Sequence, residues 1–439
     1  MKHILLFGAG KSATILIEYL IQLAWNRQWK VTIADSDPAA IAEKTSAAPL
    51  LVQGVVVALE NEQQRNTLID QADLVISLMP PALHFLIAQN CLAAGKHLLT
   101  ASYADAQMQS LAVAVKQKGL LFLNEMGLDP GIDHMSAMRL IDQIQSQGGV
   151  ITSFLSHCGG LVAPESDNNP WHYKISWNPR NIVMAGKAGA LYIKNGDEQH
   201  EPYEELFKNN LLVAVPDLTT YACYPNRDSL AYRSLYNLPE ADTFIRTTLR
   251  HPDFCAGWHY LISLYLTDEE KVYETDHLSL HSFFLEHKKR FAHKITHLPE
   301  PSPLIQQQLE YLGLFEESTL INKGLCSAAD ILQWLLETRL QLLPNDRDMI
   351  IMVHEITYTL HQQKHHVQSS LIVKGENALH TAMARTVGLP LGIAASLVLD
   401  GRISQTGLHI PVSPAFYIPV LQKLEKMGIT FTEREQACQ

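Results

Sequence analysis

Asn124-Glu125-Met126-Gly127-Leu128-Asp129-Pro130-Gly131-Ile132-Asp133-His134 lies where one kind of sequence ends and another begins. Before it, 120–123 is an apolar run of strand length; after it, 135–144 repeats apolar residues at helical spacing. Two glycines permit backbone angles and close approaches that other residues resist. Pro130 is expected to open the following helix and Asp129 to cap it. Acidic, basic and small residues thus crowd at a strand end, which is where open α/β sheets bind ligands.

Upstream of this strand-to-helix hinge, strands and helices alternate. Residues 3–7 read as a short apolar strand, followed by Gly8-Ala9-Gly10-Lys11-Ser12-Ala13 and a helical pattern through Trp25. The spacing is GxGxxA. Gly8 makes the tight turn, Gly10 lets a pyrophosphate approach the backbone, and Ala13 allows close helix–strand packing. The next strand, 30–34, ends at Asp35-Ser36-Asp37. A carboxylate there accepts from both ribose hydroxyls and repels a 2′-phosphate, so NAD is expected as cofactor, with NADP possible should a basic residue stand beside it. Further strands are expected at 49–57, 74–78, 96–100 and 120–123, with helices at 63–71, from Pro80-Pro81 to Ala94, and at 105–118. Alternation with short connections is the signature of a Rossmann-type, doubly wound parallel sheet. Ser77, Leu78, Ser102, Tyr103 and Asp129 then fall at strand ends on its ligand edge.

Downstream, alternation gives way to neighbouring strands, expected at 150–157 and 182–192, with a hairpin turn at Lys194-Asn195-Gly196-Asp197. Strands resume at 349–358 and 369–374, and the tail is helical at 378–399 and 415–427. The fold class is α/β: a dinucleotide-binding domain over 1–125 with 376–439 packing back, an α+β substrate and dimerisation domain over 126–230 and 346–375, and a helical insert over 231–345.

A formal charge of -11 at pH 7 argues against a nucleic-acid surface, and six cysteines without a CxxC pair signal neither a disulfide framework nor a zinc knuckle. No metal is expected: the densest histidine group, His361, His365 and His366, has no carboxylate or cysteine at ligand spacing. The start carries no signal-peptide pattern, and no apolar run reads as long enough to cross a bilayer, so a cytoplasmic protein without membrane partners is expected.

Three loop stretches gather polar and cationic residues: 157–180, Tyr224-Pro225-Asn226-Arg227-Asp228-Ser229, and Arg246-Thr247-Thr248-Leu249-Arg250. Arginine forks match carboxylates, so Arg227 and Arg250 suit an anionic substrate. By residue type alone, Cys158 reads as a small buried apolar side chain. These stretches, with 127–134, Cys158-Gly159-Gly160, Tyr173-Lys174-Ile175-Ser176-Trp177-Asn178-Pro179 and the tail Ala384-Arg385-Thr386-Val387-Gly388-Leu389-Pro390, resemble the glutamate-forming saccharopine dehydrogenases, the saccharopine reductase family. The resemblance runs in order across nearly the whole chain and is weakest in the helical insert.

The resemblance implies the reversible conversion of saccharopine, NAD(P)⁺ and water into glutamate and 2-aminoadipate 6-semialdehyde. It implies that Ser102, Tyr103, Arg227, Thr248, Leu249 and Arg250 contact substrate. It places Leu128, Asp129, Pro130 and Asn178 on the nicotinamide side. Imine hydrolysis needs proton transfers near neutral pH, for which Asp129, Tyr103 and Cys158 are the candidates. A basic residue follows the second strand in NADP-using members, whereas Asp35 stands here. Lys11 in the glycine turn and Pro81 after Pro80 are further departures. Two alternatives stand beside this reading: a carboxyspermidine-type dehydrogenase, and a non-catalytic nucleotide-binding protein. A homodimer is expected from exposed strands of the second domain.

Overall fold

Ile4, Leu5, Leu6 and Phe7 are successive and all apolar, as a strand must be when helices cover both faces of its sheet. All four are fully buried. In the computed structural model, which describes residues 1–46, 50–208 and 210–437, they belong to β1 (His3–Phe7). It is followed by β2 (Lys30–Asp35), β3 (Val52–Val56), β4 (Leu74–Ser77), β5 (His97–Thr100) and β6 (Leu121–Leu123). The expected start of β3, Pro49, lies outside the described residues. Every pair is parallel, in the order β3-β2-β1-β4-β5-β6, and a short strand at Gly407–His409 adds beyond β6. The strand order reverses at β1 and β4, the switch point where such sheets open a crevice at their carboxyl ends.

The chain divides into two compact units: Met1–Val150 with Leu379–Thr432, and Ile151–Ala378 with the residues from Glu433 onward. The expected boundary at 125 therefore shifts. Helix Ile132–Ser146 belongs to the first unit because it packs on helix Pro414–Lys426, where the Tyr417 hydroxyl donates to Asp142 and Arg139 pairs with Glu425. Helix Ala382–Leu399 is 18 residues long and apolar enough to cross a membrane, contrary to the sequence reading. It is apolar because it is a core helix: it packs against helix Thr14–Arg27, and 78% of it is buried.

The second unit is built on a ten-stranded mixed sheet. Along its main path run strands Leu211–Ala214, Thr220–Pro225, Thr243–Arg250, Val150–Val162, Asp348–Leu360, Gln363–Lys374 and Thr432–Ala437. The hairpin at Asn195-Gly196 forms as expected, with φ of 54° and 86° joining Ala190–Lys194 to Asp197–Glu201. Three expectations need correction. Residues 182–192 are not one strand, because Asn178 caps a helix at Pro179–Val183 and the strand begins only at Ala190. The helical segment over 231–345 contains strand Thr243–Arg250, inside the sheet between Thr220–Pro225 and Val150–Val162. The last residues do not pack back onto the dinucleotide unit, since Thr432–Ala437 extends the second sheet. The remaining helices of the insert, among them Pro252–Ser263, Pro303–Leu312 and Ala328–Arg339, do share one apolar core with Trp171 and Trp258.

Candidate active site

Gly8 leaves β1 with φ +107°, and a Cβ on it would lie 2.9 Å from the Leu78 carbonyl oxygen at the end of β4. Only glycine lets these two strand ends close together. A Cβ on Gly10, by contrast, meets no atom within 4 Å, so open space stands over the turn. Lys11 is exposed, Ser12 half-buried and Ala13 buried, in a short 3-10 turn that leads into helix Thr14–Arg27. Asp35 Oδ2 accepts from Ala9 N at 2.6 Å and Oδ1 from Asp37 N at 2.9 Å, which fixes the carboxylate at the end of β2. Ser36 is exposed beside it. Lys44, which the sequence reading passed over, donates to the Ala9 carbonyl and, at 2.6 Å, to the Gly10 carbonyl. Burial lowers its ammonium pKa, while Glu43, Asp35 and Asp37 pull the other way. The cradle thus fits a dinucleotide: a close-approach glycine, exposed backbone at a helix start, and a fixed carboxylate for a ribose.

At the β4 and β5 ends the structure differs from the assignment of Ser77 to the cofactor. Ser77 is fully buried, and its hydroxyl lies 2.8 Å from Nδ1 of His84, one turn into helix Pro81–Ala94. The other ring nitrogen lies 2.6 Å from Ser102 Oγ. Burial pushes the His84 imidazole down to about 4, against a smaller opposing pull from Asp105. His84 went unread in the sequence, where its one signal is a polar residue on the inward face of an otherwise apolar helix.

The turn at 124–134 folds on itself. Gly127 N donates to the Pro130 carbonyl at 3.0 Å, and Ile132 N to the Gly127 carbonyl at 2.9 Å. A Cβ on Gly131, at φ +148°, would stand 2.1 Å from the Gly127 oxygen. Gly131, not Asp129, is the N-cap of the helix, and the Asp129-Pro130 peptide is cis. Asp129 is half-exposed, and its Oδ1 accepts from the Tyr103 hydroxyl at 3.4 Å. Beneath them Glu125 Oε2 meets His134 Nε2 at 2.8 Å, and Glu125 Oε1 accepts from Ala104 N at 3.1 Å. That buried pair ties the Ser102–Tyr103 loop to the turn. Leu128 and Pro130 are buried alongside.

In the second unit, alternation along Thr243–Arg250 sorts the expected substrate residues by face. Thr248 and Arg250 share one face with Cys158, the register partner of Thr248. Leu249 points the other way, into an apolar cluster with Leu161 and Cys223, so its side chain cannot face substrate on that side. Arg250 is 4% exposed and lies over the rings of Tyr173 and Phe254 at 5.2 and 5.6 Å. Its Nη1 donates to the Leu249 carbonyl at 2.8 Å; among the described residues its Nε has no partner and no carboxylate pairs with it. Burial raises the Tyr224 phenol nearby, with Arg250 pulling it down. Arg227 is exposed at φ 53°. Asn178 is exposed, and its side-chain oxygen caps a helix by accepting from Arg180 N at 2.9 Å.

His172, His251 and Asp253 bring ligand-type atoms within 4.8 Å of one another. Their own bonds close the group: Asp167 meets His172 Nδ1 at 2.7 Å, His172 Nε2 faces Asp253 at 3.3 Å, and His251 Nδ1 accepts from Asp253 N at 3.2 Å.

Residues 4–123 match the saccharopine dehydrogenase NADP binding domain and residues 127–429 the saccharopine dehydrogenase C-terminal domain. The chain is 31% identical to the Schizosaccharomyces pombe saccharopine dehydrogenase [NADP(+), L-glutamate-forming], over 99% of both chains. It is 32% identical to the Arabidopsis thaliana alpha-aminoadipic semialdehyde synthase, where it spans 45% of that longer protein. The apo saccharopine dehydrogenase (L-Glu forming) of Saccharomyces cerevisiae superposes with a TM-score of 0.87 at 30% identity, covering 100% of each chain. With two matched domains and full-length relatives, the chain belongs to the saccharopine dehydrogenase family.

Proposed function

We propose that this protein is a glutamate-forming saccharopine dehydrogenase, oxidising the secondary amine of saccharopine to give L-glutamate and 2-aminoadipate 6-semialdehyde in lysine metabolism. The observation that carries this is Arg250: a buried guanidinium with no carboxylate partner among the described residues calls for an anion from outside the chain. Saccharopine brings three carboxylates. Thr248 and Tyr224 beside Arg250, with exposed Arg227, extend that cationic and hydroxylic surface, while Ser102 and Tyr103 are the proposed contacts in the first unit.

The carbon next to the secondary amine loses a hydride as the nitrogen lone pair forms a C=N bond. A nicotinamide cofactor, when bound, takes up that hydride. Water then adds to the same carbon, the C–N bond breaks, and a proton reaches the departing nitrogen. Asp129, held beside the Tyr103 hydroxyl, is placed to accept the proton from water, and Tyr103 to pass or orient it. Cys158 stands on the face of Thr248 and Arg250, and there it would line substrate rather than move protons.

For the cofactor's 2′ position we infer NAD. The comparisons point the other way, since the Schizosaccharomyces pombe relative is named for NADP(+) and the matched domain is an NADP binding one. The inference rests on Asp35, whose carboxylate is fixed by two backbone N–H groups and would meet a 2′-phosphate at close range, while Lys44, the basic residue within its pull, is engaged by the Ala9 and Gly10 carbonyls. Saccharopine assayed with NAD⁺ and with NADP⁺ should give the higher kcat/KM with NAD⁺, and Asp35→Ala should narrow the gap. A kcat/KM at least as high with NADP⁺ in the unmodified protein would overturn the inference. A carboxyspermidine-type substrate brings fewer carboxylates for Arg250 to pair with and more ammonium groups, which a cationic lining disfavours. The cytoplasmic homodimer is likewise proposed, tested by sedimentation at twice the chain mass and by fractionation.

A further inference from the structure

His84 has no part in the chemistry above, yet its surroundings at the ligand edge are closely built. Nδ1 faces two hydroxyls, Ser77 Oγ at 2.8 Å and Thr100 Oγ1 at 3.3 Å, and Nε2 faces Ser102 Oγ at 2.6 Å. Thr100 Oγ1 accepts from Ser102 N at 3.2 Å, and among the described residues Nδ1 is the side-chain acceptor within reach of its proton. Ser77, fully buried, has the imidazole as its side-chain partner. With hydroxyl donors on Nδ1, a neutral ring carries its proton on Nε2. Burial keeps the ring neutral. A ring in that tautomer would donate Nε2–H to Ser102 Oγ.

We propose that His84 is a positioning residue that fixes the Ser102 hydroxyl as a hydrogen-bond donor toward a carboxylate of the substrate. The proposal rests on the saccharopine reading and adds a polarity to it. A serine hydroxyl free to rotate serves donors and acceptors alike. One that already accepts from His84 presents its proton, which suits a carboxylate and disfavours an ammonium group. Through Ser77 and Thr100, the ends of β4 and β5 set the character of the group at Ser102.

The test combines His84→Ala, His84→Gln, Ser102→Ala and the double variant His84→Ala/Ser102→Ala with ¹⁵N NMR of the imidazoles, the His84 signal assigned by its loss in His84→Gln. In the free protein the His84 shifts should report a neutral ring protonated at Nε2. His84→Ala should raise KM for saccharopine about tenfold, the worth of one lost hydrogen bond, and leave KM for the cofactor unchanged. Ser102→Ala should do the same, and the double variant should lose no more than Ser102→Ala alone. His84→Gln, whose amide N–H reaches toward Ser102, should recover most of the loss. Additive losses, an equal rise in the cofactor's KM, or a ring protonated at Nδ1 would overturn the proposal. If the unmodified protein does not turn saccharopine over, the functional reading falls and the carboxylate with it. The tautomer still decides, without substrate, whether Ser102 is held as a donor.

Discussion

Arg250 places a full charge among aromatic rings, and its isolation has opposite consequences for binding and for stability. Replacing it by methionine removes the anion partner, and KM for saccharopine should rise by roughly a hundredfold or more. The free protein, relieved of a buried charge without a counterion, should melt at an unchanged or slightly higher temperature. A clear fall in the melting temperature would make Arg250 a structural residue. His84 gives a pH dependence. Its folded pKa of about 4 lies below the ordinary 6.5, so the stability from a neutral buried ring is fully present above 6.5 and is lost as pH falls through about 4. The term is of order 3 kcal/mol. Urea unfolding at about pH 7 and about pH 4 should therefore show a larger drop for the natural protein than for His84→Gln. The sequence allowed Arg250 to be named from an arginine-containing motif, but its burial depends on Tyr173, 77 positions away by number. Nor could it pair His84 with Ser102, because that bond exists only once β4 and β5 lie side by side.

The two glycine turns of the first unit respond oppositely to the same substitution. Gly131→Ala drives a Cβ into the Gly127 backbone at an unfavourable φ and should cost on the order of 3 kcal/mol or leave no soluble protein. Gly10→Ala fits the folded chain, since φ is -64° and the space is open. It should leave thermal stability unchanged while weakening cofactor binding about tenfold, because the added methyl stands where the pyrophosphate approaches. Unweakened binding would remove Gly10 from the cofactor site. At this scale β1, β2 and β4 to β6 were readable because burial on both faces leaves unbroken apolar runs. Strand Thr243–Arg250 was not, since its arginines and threonines alternate across a sheet that forms only after distant strands join. The same limit applies to the 124–134 turn, where a nearby Asp-Pro suggested a cap but closure between two glycines displaced it.

For the molecule as a whole, the alternation of strands and helices in the first third was enough to expect a parallel sheet and its ligand edge. The second unit was legible as α+β but not in its limits, because its sheet draws strands from 150 to 437 and periodicity carries no information on which distant segments pair. The proposed activity needs a dinucleotide cradle, which the first unit has around Gly8 and Gly10, and a cationic group for a carboxylate, which the second unit has in Arg250. Its most direct test is a steady-state assay of the purified protein with saccharopine and either NAD⁺ or NADP⁺, following cofactor reduction and identifying the amino acid released. The expected result is saccharopine-dependent reduction with L-glutamate formed in equal amount. No turnover with either cofactor across a broad pH range, or reduction that needs an amine-terminated substrate instead, would contradict it.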